Sequence, residues 1–408
     1  MSATTSEPPV VTVPSVTAAL LPIMTVVFIG FLVIGMALPV LPLHVHQDLG
    51  LSTFVVGLVT CSQFVASLIS RVWSGHYADS RGAKRAVIAG LLAAVVGGLL
   101  YLVSLRFLGA PGVSAAILLL GRALLGAAES LIITGGVTWG LALAGPANAG
   151  KVIAWVGMAM FAALASGAPL GTTLHGLGGF ASVAIATALI PLATTLLVAP
   201  LAPVPPRRGA RSHPLRVAGA VWMPGFGSAL SSVGFGTMIA FSSLLAAERG
   251  WAPVWLLFSA FAAALVAARL FLGHLPDRLG GARVALISAA IEAIGLALIW
   301  SAPSRSLAAA GALLTGLGYA LVYPGLGVEA VRRAPPESRG LAMGAYTAFL
   351  DVALGFGSPA LGLVAGWTGL SSVFLAGALL VLGASLIALR LLCQPSAADQ
   401  TRLVESAP

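Results

Sequence analysis

Apolar stretches of about twenty residues follow one another from end to end of this 408-residue chain, each long enough to cross the roughly 30 Å hydrocarbon core of a bilayer as a helix. They fall at 16–41, 53–74, 86–105, 114–136, 151–173, 179–201, 217–246, 253–273, 283–301, 307–328, 340–364 and 370–392. In hydrocarbon every backbone N–H and C=O must find its partner within the protein, which a helix provides inside the span itself. The expected fold is therefore all-α: a membrane protein of twelve transmembrane helices with both termini on one side.

The charges agree with that reading. Only 8% of the residues are charged, against about 25% in a soluble domain, too few to clothe a surface facing water. The 49 glycines suit helices packed backbone to backbone, where small residues permit close approach. A formal charge of +9 does not signal nucleic acid here, because the basic residues stand singly between apolar runs and form no stripe with aromatics. Cys61 and Cys393 fit neither a disulfide framework nor a metal-ligand spacing, so no metal or cofactor is expected. Residues 1–15 carry no Lys or Arg ahead of an apolar run longer than a signal-peptide core and read as a cytoplasmic tail.

Short loops rich in Lys and Arg stay cytoplasmic. Arg81, Lys84 and Arg85 follow helix 2, Lys151 helix 4, Arg207, Arg208, Arg211 and Arg216 helix 6, Arg278 and Arg283 helix 8, and Arg332, Arg333 and Arg339 helix 10. The opposite loops hold only Arg106, Arg249 and Arg305. Both termini are thus expected on the cytoplasmic side of a bacterial inner membrane. The longest polar connection, rich in Pro, Gly and Arg, reads as a linker. It divides the chain into an N-terminal six-helix bundle at 16–201, the linker at 202–216, a C-terminal six-helix bundle at 217–392 and a second cytoplasmic tail at 393–408.

The two parts echo each other. GHYADSRGAKR at 75–85 aligns with GHLPDRLGGAR at 273–283, Arg71 with Arg269 four residues upstream, and GAPLG at 167–171 with GSPALG at 357–362. Repeated halves around a central path are the plan of alternating-access carriers. The segment at 75–85 resembles the signature of the major facilitator superfamily between helices 2 and 3, Gly-x-x-x-Asp-x-x-Gly-x-Lys/Arg-Lys/Arg. GRALLG at 121–126 resembles the superfamily's helix 4 motif, with Leu125 where a polar residue is usual. GAPLG resembles the motif of drug:proton antiporters, with Ala168 in place of a glycine. LPVLPLHVHQDLGLSTFVVGLV at 38–59, SRVWSGHYADSRGAKRAV at 70–87 and AYTAFLDVALGFGSPALGLV at 345–364 are similar to the YhhS/YfcJ branch of bacterial facilitators. The resemblance implies the major facilitator fold of two pseudo-symmetric six-helix halves, and a monomer.

It also implies roles for particular residues. Asp79 with Arg71, Arg81 and Arg85 would form a charge network at the cytoplasmic mouth that stabilises the outward-facing state and breaks on inward opening, with Asp277 and Arg269 as its counterpart. Helix capping is the plainer role for either carboxylate. Gly75 and Gly82 are expected to permit a tight turn and close helix approach. Arg122 and Glu129, spaced i,i+7 on helix 4, share a face about 10 Å apart along the axis, and an ionisable group inside a span normally faces a polar interior or a partner. Either Arg122 couples to a carboxylate that takes up and releases a proton, or the two form a static pair.

Asp351, in the middle of helix 11, is the other candidate for proton coupling, since low-polarity surroundings penalise a carboxylate's charged form; a hydrogen-bonded structural Asp is the alternative. Glu292 is expected to pair with Arg269, with proton coupling the alternative, and His44 and His46 to be solvated or capping. Gln63, Tyr319 and Tyr323 are candidates to line a ligand cavity. Gly167, Pro169, Gly171, Gly357 and Pro359 are expected to pack helices 5 and 11, with kinks at the prolines.

These readings converge on a secondary transporter that exports a small amphipathic or metabolite-like solute by rocking its two halves, in exchange for protons. Its partners are the solute, protons and the lipid bilayer. Proton-coupled uptake or facilitated diffusion of a sugar or organic acid is the alternative within transport, and a non-transporting membrane receptor the alternative outside it. No nucleophile triad, metal cluster or phosphate-binding loop points to an enzyme.

Overall fold

The computed structural model describes residues 16–144, 149–201, 203, 215–333 and 339–393. Every regular element among them is helical: α1 (Val16–Leu43), α2 (Thr53–Arg81), α3 (Ala83–Ser104), α4 (Pro111–Ala144), α5 (Ala149–Val198), α6 (Leu215–Glu248), α7 (Leu256–Leu272), the short α8 (Leu275–Leu279), α9 (Gly281–Ser301), α10 (Arg305–Arg333), α11 (Arg339–Thr368) and α12 (Leu370–Cys393). Ten of the described helices are long and apolar enough to cross a membrane.

Two places account for the remaining expected spans. The stretches at 151–173 and 179–201 are two limbs of α5, interrupted at Gly178 and Gly179. Gly179 has φ 64°, a left-handed backbone that glycine adopts without a Cβ penalty. The stretch at 253–273 is covered by α7, 17 residues long. The expected tails 1–15 and 393–408 and the linker 202–216 fall almost wholly outside the described residues.

The bundle is apolar on its outside. Ile69, Leu177, Phe271, Phe356 and Trp367 expose most of their surface, more apolar surface than a soluble monomer presents to water. The interior holds small and polar groups, as where the hydroxyls of Ser67 in α2 and Ser130 in α4 meet at 3.0 Å.

Glycines set the distances between helices, and they do so twice. Gly97 crowds Gly121 as Gly295 crowds Gly311; Gly135 meets Ala83 as Gly325 meets Gly281; Gly126 sits on the Gln63 carbonyl as Gly316 sits on that of Phe261. A Cβ at any of these glycines would press on its neighbour, so small residues hold the helices close. Helices α1–α5 pack mainly among themselves, as do α6–α12, and the two sets meet along α2 with α11, α5 with α7, and α1 with α6.

The segment at 75–85 is mostly helix. α2 runs on to Arg81, and Gly82, at φ 95°, is the single residue between it and α3. Gly75 therefore lies inside α2, with no atom within 4 Å of where a Cβ would stand. The tight turn rests on Gly82 and not on Gly75, contrary to the expectation that both would serve it. Gly280, at φ 91°, makes the matching turn into α9.

Candidate transport site

Between the two sets of helices lies a cavity of about 200 Å³ lined from α1, α2, α4, α5, α6, α7, α10 and α11. Its wall is largely aromatic and aliphatic, with Phe31, Phe64, Phe161 and Phe235 among its members. Four charged side chains reach it: Arg71, Glu129, Arg269 and Asp351.

Arg71 and Asp351 form an ion pair across the cavity. Nη2 of Arg71 stands 2.9 Å from one carboxylate oxygen and donates to the other at 3.2 Å. Asp351 is buried, while about a third of Arg71 remains exposed. The pair ties α2 to α11 and so joins the two sets. It corrects the expectation that Arg71 belongs with Arg81 and Arg85: ten residues of helix put Arg71 about 15 Å from Arg81 along the axis, and Arg81 and Arg85 are exposed at the helix ends. The side chains of Asp79 and Asp277 lie outside the described residues.

Glu129 takes a different partner from the one its spacing suggests. Gln63 Nε2 of α2 donates to its Oε2 at 2.7 Å. Arg122, two turns away, makes no ion pair with it and does not line the cavity; its Nε and Nη1 are buried without hydrogen-bond partners. Two helical turns exceed the reach of a direct contact, which is why the static Arg122–Glu129 pair does not form.

Arg269 of α7 faces the same cavity without a carboxylate. Its guanidinium carbon lies 4.4 Å from the centre of the Phe161 ring, and its Nε is buried without a hydrogen-bond partner. The expected pairing with Glu292 is absent. Glu292 is fully buried inside the second set, between α9 and α6, where Ser231 of α6 donates to it at 2.6 Å. Tyr319 stacks on Phe235 with ring centres 5.0 Å apart, and the hydroxyls of Tyr323 and Thr347 are 2.8 Å apart. Gln63, Tyr319 and Tyr323 all line the cavity. Phe161, Phe235 and Thr347 do so too and were not singled out in the sequence, where an aromatic in an apolar span reads as core. Laying Pro169 on Pro359 puts Phe161 at the position of Asp351, the one signal that could have marked it.

The cavity is shut at one end and approached from the other. At the end carrying the α1–α2 turn, Thr53 donates to the Gly362 carbonyl at 2.7 Å, Gly57 rests on Ser358 and Pro359, and Ser259 of α7 donates to Ala165 of α5 at 3.2 Å. Toward the opposite end a second cavity of about 600 Å³ lies among α5, α7, α10 and α11, sharing Arg269 and Tyr323 with the first. Gly167 and Gly171 pack on the backbone of α1, so GAPLG seals within the first set. Pro359, by contrast, meets α2 across the interface. The helices run on through both prolines. His44 is buried rather than solvated, stacked on Phe180 at 4.2 Å and bonded to Asp48 at 2.7 Å.

The family model of the Major Facilitator Superfamily matches residues 23–255 and 225–406. The chain belongs to this superfamily. A major facilitator is a multi-pass membrane transporter and not an enzyme, and relatives along nearly the full length carry the same description. An uncharacterized MFS-type transporter of Salmonella typhimurium is 44% identical over 94% of this chain and 99% of its own length. The uncharacterized MFS-type transporter YhhS of Escherichia coli is 39% identical over 90% of this chain and 91% of its own length. Among solved structures, nucleoside transporter NupG superposes with a TM-score of 0.69 over 92% of this chain and 100% of its own, at 16% identity, a likeness of fold alone.

Proposed function

We propose that this transporter crosses the membrane twelve times as two six-helix halves, 16–201 and 217–392, and exports a small amphipathic solute by alternating access in exchange for protons. Nine long helices, the two limbs of α5 and the shorter α7 together support twelve crossings. The distribution of Lys and Arg supports cytoplasmic termini. In that orientation the shut end faces outward and the 600 Å³ cavity faces the cytoplasm.

The observation that carries the proposal is the Arg71–Asp351 pair beside Glu129 in a cavity between the halves. A proton on Asp351 removes half of the charge that ties α2 to α11, and a proton on Glu129 removes a negative charge from the site that holds the solute. Ionisable groups set inside spans and facing such a cavity mark ion paths. The helix 5 motif favours export. A second reading, proton-coupled uptake of an organic acid, is favoured by one feature: Arg269 faces the cavity with no acid beside it.

The test is flux of a labelled solute in proteoliposomes with and without an imposed pH gradient, using the compound from a metabolite panel that most raises the thermal stability of the purified protein. A gradient that accelerates flux supports the proposal. Flux indifferent to the gradient overturns it.

A further inference from the structure

Two arginines related by the internal repeat meet different partners. The recurring glycine contacts fix the correspondence. Gly126 on Gln63 matches Gly316 on Phe261, and Gly167 on Gly35 matches Gly357 on Val233. In that register Arg71 of α2 falls on Arg269 of α7, and Asp351 of α11 falls on Phe161 of α5. Arg71 stands 2.9 Å from Asp351, and Arg269 stands over Phe161. The same contact is built twice, once with a carboxylate and once with a phenyl ring in its place.

The exchange leaves a charge uncompensated. A ring face attracts a cation through its quadrupole, but it carries no charge and offers no oxygen to the guanidinium donors. No acidic side chain among the described residues pairs with Arg269, and its buried Nε has no hydrogen-bond partner. A charge in such surroundings is costly unless paired and hydrogen-bonded. Arg269 lines both cavities, so its partner can arrive from solution.

We infer that Arg269 is the seat of a single carboxylate on the transported solute, and that the solutes are small apolar monocarboxylates. The inference rests on the transport reading above. A guanidinium presents a planar fork of donors that matches a carboxylate, and Phe161, Phe235 and Tyr319 offer a wall for an apolar body. Glu129 and Asp351 on the same wall repel a second anionic group, and about 200 Å³ leaves room only for a small one.

Calorimetric titration of the full-length purified protein with 3-phenylpropionate and with its uncharged amide tests the assignment. The acid is expected to bind roughly 10- to 100-fold tighter than the amide, the strength of a hydrogen-bonded charge. Arg269→Gln removes that preference. Phe161→Asp rebuilds in the second site the ion pair of the first, and it removes the preference while keeping the arginine, so it decides the matter if the glutamine variant fails to fold. Equal binding of acid and amide, binding of neither, or an acid preference that survives in Phe161→Asp overturns the inference. Proton-driven flux of an uncharged solute would remove this assignment and leave the transport reading standing. Acid binding lost in both variants, without proton-driven flux, would do the reverse.

Discussion

Arg71 and Asp351 lie 280 positions apart in the chain and 2.9 Å apart in space, and they are the charged contact between α2 and α11 in the wall of the central cavity. Among the described residues no other ion pair crosses between the sets. The strength of this pair therefore bears directly on how readily the halves separate.

Asp351→Asn leaves Arg71 beside a neutral amide. Removing one partner of a buried pair costs several kcal/mol, and the partial exposure of Arg71 reduces this to roughly 1–2 kcal/mol. The expected result is a lowered Tm that is partly recovered in Arg71→Gln/Asp351→Asn, measured by thermal unfolding in detergent. Additive losses in the double variant would show that the two side chains do not interact.

Gly75 and Gly82 make a matched comparison. Gly75 is helical with open space around it, so Gly75→Ala is expected to stabilise by up to about 1 kcal/mol through helix propensity. Gly82 holds φ 95° and ψ 148°, a region open in practice only to glycine, and Gly82→Ala should destabilise by about 1–3 kcal/mol. Thermal unfolding of both variants checks the pair; a destabilised Gly75→Ala would restore it to the turn.

Much of this architecture is legible in the residues. The apolar runs mark every described helix except the short α8, and the Gly-Leu-Gly-Gly at 176–179 marks the break inside α5. The ion pairs are not legible, because helix rise and facing decide them. Arg71 is close to Arg81 in the chain but three turns away in space, and its carboxylate comes from α11. Arg122 and Glu129 share a face without touching. Glu292 and Arg269 both sit in apolar spans of the second set, yet one turns toward Ser231 of α6 and the other toward Phe161 of α5. Spacing along one helix constrains its own face and says little about which neighbour that face meets.

Glu292, held by Ser231 and outside the cavity wall, is expected to serve packing and not coupling. Glutamine at this position keeps an oxygen to accept the bond from Ser231, so Glu292→Gln is expected to fold within about 1 kcal/mol of the native protein and to transport as it does. Glu292→Ala opens a hole beside Gly234 and should cost roughly 1–3 kcal/mol. A glutamine variant that folds but loses gradient-driven flux would place Glu292 in the coupling path.

Gly57 permits the shut end to close. A Cβ there would overlap the Ser358 carbonyl, so Gly57→Val should hold that end apart. In a Cys61→Ser background, a cysteine at Leu38 in the cavity wall is then expected to react roughly tenfold faster with an impermeant maleimide from the outer face, a shift of about 1.4 kcal/mol in the balance of states. Unchanged labelling would mean that this contact does not gate the cavity.

Glu129→Gln in proteoliposomes isolates the step by which protons drive solute through the groups of one cavity. The variant keeps a partner for Gln63 but cannot take up and release a proton. Solute exchange between equal pools is expected to continue, while accumulation driven by an imposed pH gradient is lost. Gradient-driven accumulation equal to that of the native protein would contradict the account.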